Sequence, residues 1–241
     1  MVTKNQIKLI KGLHQKKTRE LENLFIAEGE KTINELIHSN FELVYLFTTE
    51  TLFPTISKSK VIAISTPELQ KISALASANN CLAVFKIPFP KAVIEKGLIL
   101  ALDNIRDPGN LGTIIRLCDW FGIDQIICST ESVDVYNPKV IQATMGSISR
   151  VQINYLDLHD FLKQTKLPVF GTFMDGVNIY STNLPKDGII VMGNEANGIS
   201  EAIENVISVR LAIPRFGNLQ QTESLNVATA TAIILSEFKR I

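Results

Sequence analysis

The chain has 241 residues, 46% of them hydrophobic, and its 24 Lys+Arg balance 24 Asp+Glu to a formal net charge of zero. That length suits one large domain or two small ones, the apolar content excludes a disordered chain, and the charge balance excludes crude whole-surface attraction to nucleic acid. No apolar run approaches the roughly 18 residues of a membrane helix, no signal-peptide pattern opens the chain, and Cys81, Cys118 and Cys128 read as small buried hydrophobes in a reducing cytoplasm.

In chain order, residues 4–23 read as a helix with Ile7, Ile10 and Leu13 on one side. Residues 24–27 are a short strand, and residues 30–39 place Ile33, Leu36 and Ile37 at helical spacing. Residues 43–48 and 61–64 read as strands. Thr66-Pro67-Glu68 supplies an N-cap, a proline at the first helical position and an acid in the first turn. A strand at 81–86 completes a small α/β unit. Pro88-Phe89-Pro90-Lys91 then favours an extended linker, which divides the chain into domains 1–91 and 92–241.

Charge follows the same division. Residues 1–91 hold 12 basic and 8 acidic side chains, residues 92–241 hold 12 and 16. Lys4, Lys8, Lys11, Lys16, Lys17 and Arg19 precede the first acid. Such a run is ordinarily a solvated face; its functional reading is an edge that contacts phosphates.

Beyond the linker the alternation restarts with a buried strand at 97–102 that ends in Asp103-Asn104. The turn Asp107-Pro108-Gly109 follows, and Asn110 can cap a helix at 111–121 whose apolar face is Leu111, Ile114, Ile115 and Cys118. A strand at 125–128, a short helix from Asn137-Pro138 to about 145, a strand at 151–154, a helix at 156–164 and strands at 169–172, 188–192 and 208–211 come next. The last helix, 225–239, is apolar nearly all round, so it is buried or sits at a subunit interface.

Three loops leave strand ends, where open α/β sheets bind ligands. The first runs from Asp103 to Arg116. The second is Met192-Gly193-Asn194-Glu195-Ala196-Asn197-Gly198-Ile199-Ser200, whose glycines let backbone approach a ligand and whose serine can cap the next helix. The third runs from Ile213-Pro214-Arg215-Phe216-Gly217 to Ser224-Leu225-Asn226 and leaves backbone groups free of any helix or ladder. Taken singly, each of these two glycine-bearing loops reads as a plain turn. There is no GxGxxG after a strand, no GxxxxGK[ST], no GxSxG and no His-rich metal spacing; His14, His38 and His159 are scattered.

Together the three loops are specific. The chain resembles the SpoU/TrmH family of RNA ribose methyltransferases in the SPOUT superfamily over about residues 95–241. The first family pattern, N-x-G-x-x-x-R, is met by Asn110, Gly112 and Arg116; the second, G-x-E-x-x-G-x-S, by Gly193, Glu195, Gly198 and Ser200; the third by Ile213, Pro214 and Ser224–Val227. The N-terminal part looks like the substrate-binding domain often attached to these enzymes, through patterns such as Phe25-Ile26-Ala27-Glu28-Gly29.

The resemblance implies an α/β fold, a parallel sheet with a trefoil knot preceded by a small α/β substrate-binding domain. It implies a homodimer and 2′-O-ribose methylation of RNA, rRNA more than tRNA, with no metal and no membrane. It implies S-adenosylmethionine held by Met192, Gly193, Asn194, Gly198, Ile213, Ser224 and Leu225, and catalysis by Arg116 with Asn110, Glu195 and Asn226. Two departures concern the pocket: six residues separate Gly217 from Ser224 where about three are usual, and Arg215 stands where the family has an apolar residue. The rival readings are a catalytically idle RNA- or ribosome-binding protein of the same fold and, lacking its fingerprint, a nucleotide-dependent oxidoreductase.

Overall fold

The computed structural model describes residues 2–217 and 224–240. The chain forms two compact units, one of Met1–Phe89 with Asp134–Ser149, the other of Pro90–Val133 with Arg150–Ile241. The chain thus leaves the second unit once and contributes a short segment to the first.

Helices α1 (Lys4–Gly12) and α2 (Lys16–Glu22) replace the single helix read over 4–23. The break follows packing: Leu13 ends α1 fully buried, His14 Nε2 lies 3.3 Å from the Ile72 carbonyl oxygen, and Gln15 in extended backbone starts α2. Arg19 is thereby buried, at 2% exposure. Its Nε and Nη2 donate to Asp134 Oδ2 at 2.8 and 2.5 Å, and its Nη1 donates to the Leu13 carbonyl at 2.9 Å. Arg19 therefore drops out of the proposed phosphate-contacting edge, while Lys4, Lys8, Lys11, Lys16 and Lys17 are exposed.

Strand β1 (Leu24–Glu28), helix α3 (Glu30–Ile37), strands β2 (Leu43–Thr48) and β3 (Val61–Ala63), helix α4 (Thr66–Ile72) and strand β4 (Cys81–Lys86) follow. The four strands lie in the order β1-β4-β2-β3, with β4 antiparallel to both neighbours and β2 parallel to β3. Ser65, one residue earlier than read, is the N-cap of α4. Its N–H and hydroxyl both donate to Glu68 Oε2, at 2.9 and 3.0 Å, and these bonds hold the Glu68 carboxyl below its usual range. Thr66 has joined the first turn because the serine in front of it reaches the glutamate three residues on.

The second unit opens with β5 (Leu98–Leu102), α5 (Pro108–Phe121) and β6 (Gln125–Ser129). Helix α6 (Pro138–Thr144) then belongs to the first unit, where Tyr136 packs its ring 4.9 Å from that of Phe25. Next come β7 (Gln152–Leu156), α7 (Leu158–Gln164), β8 (Val169–Asn178), β9 (Gly188–Met192), α8 (Glu201–Glu204), β10 (Val209–Ala212) and α9 (Val227–Phe238). The six strands of this unit form one parallel sheet, β10-β8-β9-β5-β6-β7. Every residue of β5 and β9 is buried, as expected of parallel strands covered on both faces.

From β5 the chain winds to one side through β6 and β7, then returns to build β8 and β9 on the other. The boundary between β5 and β9 is therefore the topological switch point, and its carboxyl end is the place for a ligand. Helix α9 packs against α5 and starts at Val227, two residues later than read, because Asn226 serves as its cap. Its Val227, Ala228, Thr231, Ile234, Leu235 and Phe238 are buried, whereas Thr229 and Ser236 are exposed. No helix among the described residues is long and apolar enough to cross a membrane.

Arg19→Met leaves Asp134 with no cation in a largely buried position and should cost about 3 kcal/mol, read by denaturant unfolding. Burial pushes all three thiols up, Cys81 and Cys128 to about 12, so they stay protonated at neutral pH. The folded protein should not react with a disulfide reagent at about pH 8, and all three should react once it is unfolded.

Candidate active site at the carboxyl edge of the parallel sheet

Leu102 pairs with Met192 at the ends of β5 and β9, so the first two loops leave the sheet side by side. The Asp103 N–H continues the pairing to the Met192 carbonyl at 2.9 Å. Helix α5 begins three residues earlier than read, and its cap is Asp107, whose Oδ1 accepts the Asn110 N–H at 2.7 Å. Pro108 takes the first helical position, where no N–H is needed. Asn110 is thus inside the first turn, and its side chain is released from capping.

That side chain joins the three motifs. Asn226 caps α9 by accepting the N–H groups of Ala228 and Thr229 on Oδ1, at 3.0 and 3.3 Å. Its Nδ2 must then point away from the helix, and it donates to Asn110 Oδ1 at 2.9 Å. Asn110 Nδ2 in turn donates to Glu195 Oε1 at 2.6 Å. The helix N–H groups therefore set the direction of donation along the whole chain, and Glu195 is its acceptor.

The second loop is closed on itself. Asn194 and Gly198 exchange two backbone hydrogen bonds of 2.9 Å, and Asn194 Oδ1 accepts the N–H groups of Ala196 and Asn197. Asn194 Nδ2 donates to the Asn104 carbonyl at 2.7 Å, which ties this loop to the first. Ser200 is the N-cap of α8 but makes no side-chain cap bond; its N–H donates to the buried Asp103 Oδ2 at 2.7 Å. The glycines are required by space and by backbone. A Cβ on Gly193 would lie 2.3 Å from the Gly198 carbonyl carbon, and Gly198 has φ +69°.

Between the second and third loops lies a cleft of about 1140 Å³. Met192, Gly193, Asn194 and Gly198 line one side of it; Ile213, Ser224 and Leu225 line another. Glu195 and Arg215 also reach it. The extra length of the third loop falls on residues 218–223, outside the described residues. Arg116 stands apart from the cleft lining, on the exposed face of α5 with Thr113 and Trp120, and no hydrogen bond or ion pair to the described residues engages it.

Part of the wall was not legible in the sequence. Thr172, Phe173 and Met174 of β8 line the cleft, although no motif surrounds them and the sequence pattern ends this strand at 172. Ala230 and Ile234 of α9 line it too, hidden in a uniformly apolar run.

Gly193→Ala should open the second loop. The amides of Asn194 and Gly198, protected by their mutual bonds, should then exchange faster with deuterium while the amides of β9 keep their protection.

The chain is similar to known proteins along its whole length. Residues 97–236 match the SpoU rRNA methylase family, and residues 4–83 match the MRM3-like substrate-binding domain. The chain is 30% identical over 240 residues to the 23S rRNA (guanosine(2553)-2′-O)-methyltransferase RlmP of Bacillus subtilis, covering 96% of this chain and 95% of that one. It is 32% identical over 151 residues to the 23S rRNA (guanosine-2′-O-)-methyltransferase RlmB of Neisseria meningitidis, covering 61% and 59%. Among solved structures, one assigned to the TrmH family of RNA methyltransferases, from Porphyromonas gingivalis, superposes with TM-score 0.90 at 38% identity over 100% and 99% of the two chains. An AdoMet-bound rRNA methyltransferase from Sinorhizobium meliloti superposes with TM-score 0.88 at 28% identity over 100% and 96%. The three joined loops on a parallel sheet and these matches lead to one conclusion: the chain belongs to the SpoU rRNA methylase family, RNA 2′-O-methyltransferases that use S-adenosylmethionine.

Proposed function

We propose that this chain methylates a ribose 2′-hydroxyl of rRNA, with S-adenosylmethionine in the cleft and Arg116, Asn110, Glu195 and Asn226 at the reacting edge. The observation that carries this is the hydrogen-bonded chain from Asn226 through Asn110 to Glu195, which joins the three family motifs beside the cleft.

The cleft fits the cofactor by size and by chemistry. Its volume is ample for a nucleoside with an amino-acid tail. Leu211, Ile213, Leu225 and Ile234 offer apolar walls, and residues 213–217 and 224–225 offer backbone groups outside any helix or strand. Glu195 offers a carboxylate to a cationic ligand. When bound, S-adenosylmethionine supplies a methyl group on a cationic sulfur.

The residues of the chain must then hold and activate the hydroxyl. An arginine stays protonated, so Arg116 is not the base. Its fork of N–H donors suits a phosphate next to the target ribose, which can take the proton, and it stabilises the developing alkoxide. Asn110, held from both sides, orients this edge, and Glu195 couples it to the second loop. The chemistry calls for no metal.

In the same reading, residues 1–91 are the RNA-binding domain and residues 92–241 the methyltransferase domain. The exposed Lys4, Lys8, Lys11, Lys16 and Lys17 of the first would meet phosphates. The protein works in the cytoplasm as a homodimer through α5 and α9, where Trp120 is 84% exposed and Ala232 and Ile233 stay half-buried. The trefoil knot of the family belongs to the same proposal.

Arg116→Ala should leave S-adenosylmethionine affinity and the melting temperature near wild type and cut methyl transfer by about a hundredfold or more. Arg116→Lys should not rescue it, because the charge survives but the fork does not. Wild-type methyl transfer by the Ala variant would remove Arg116 from the mechanism. Light scattering checks the dimer, whose interface should bury roughly 2,000 Å².

A further inference from the structure

Strand β8 does not run evenly beside β10. Gly171 pairs with Arg210, and the next residue of β10, Leu211, pairs with Val177. Residues 172–176 are therefore in excess and leave the ladder as an arch. Thr172, Phe173 and Met174 of this arch line the cleft.

The arch is pinned at both ends. Thr172 Oγ1 donates to the Val191 carbonyl of β9 at 3.1 Å. At the other end Asp175 Oδ1 accepts from Arg210 Nη2 at 2.5 Å, and Arg210 Nη1 donates to Glu204 of α8. The Arg210 guanidinium also covers the ring of Phe173, 3.6 Å from its centroid. Two glycines make room for this arrangement. A Cβ on Gly176 would lie 2.5 Å from the Leu211 carbonyl carbon, and one on Gly171 would lie 2.6 Å from Phe173 Cε2. Arg210 thus touches the cleft wall through Phe173, the end of the arch through Asp175, and α8 through Glu204, without lining the cleft itself. The same bond holds the Asp175 carboxyl below its usual range.

We propose that Arg210 is a positioning residue for cofactor binding: it latches the 172–176 arch to β10 and α8, so that Phe173 and Met174 stand as a preformed wall of the cleft. An arch outside the ladder has few backbone bonds of its own, so a ligand that needs it as a wall must bear the entropy of ordering it unless side chains have already done so. The forked donors of one arginine can hold Asp175 and Glu204 together while its flat face rests on the ring, a combination no other side chain offers. This inference rests on the reading of the cleft as the S-adenosylmethionine site.

The test is calorimetric titration of the full chain with S-adenosylmethionine, alongside thermal melting and the kinetics of methyl transfer. Arg210→Met should raise the dissociation constant by at least about tenfold. The cofactor KM should rise in step, with kcat at saturating cofactor and the melting temperature little changed. Arg210→Lys keeps a cation on Phe173 but cannot bridge both acids, and should recover part of the affinity. Asp175→Asn and Glu204→Gln should each weaken binding in the same direction by less, and they carry the test if Arg210→Met fails to fold. Wild-type affinity in a folded Arg210→Met, or in both acid variants, overturns the latch and leaves the cofactor reading intact. Absence of binding by the wild-type protein overturns the cofactor reading itself, and the latch with it.

Discussion

A single side-chain amide, that of Asn110, holds together parts of the chain that lie 85 and 116 residues away from it. It can do so only because Asp107 and Pro108 satisfy the start of α5 without it. The amide has one acceptor and one donor group to spend, and Asn226, already committed to the N–H groups of α9, leaves only one arrangement. Each of these bonds is exposed and individually modest in energy. Their value is geometric: they fix the first, second and third loops relative to one another.

The loops can be brought that close because of the sheet beneath them. Parallel pairing of β5 with β9 in register from Leu98–Gly188 to Leu102–Met192 ends both strands at the same level. Both strands are apolar on both faces, so their register is held by close packing against the layers above and below rather than by a polar face. The rigid part of the molecule is thus apolar and uniform, while the polar residues concentrate at one edge of it. Asp103 shows the junction: it is buried at the end of β5, yet its carboxylate receives the Ser200 N–H and so anchors the far end of the second loop.

A different device serves the first unit. There the buried ion pair of Arg19 with Asp134 connects α2 to a segment that returns from the second half of the chain. The guanidinium also takes the Leu13 carbonyl, so the bend between α1 and α2 and the docking of residues 134–149 share one set of donors. A lysine could not make these bonds at once, because it lacks the planar fork.

Much of this was legible in residue order. Apolar runs such as Leu98–Leu102 and Gly188–Met192 read as buried strands because length and flanks leave little choice. The three motifs, read together, pointed to their family. Residue order did not decide which of two competent residues caps α5: Asp107 and Asn110 are equal on propensity, and the fold gives the cap to Asp107 and sends the Asn110 side chain to Glu195 and Asn226. Nor did it separate Arg19 from the exposed lysines around it, since burial depends on an aspartate 115 residues away. The second half of β8 was missed for a related reason. Asp175-Gly176 reads as a turn and the strand as ending at 172, but only the pairing of Leu211 with Val177 reveals that the same strand resumes after five residues. Local sequence determines what a segment can form; the long-range partners, known only once the chain is folded, decide which of those possibilities is used.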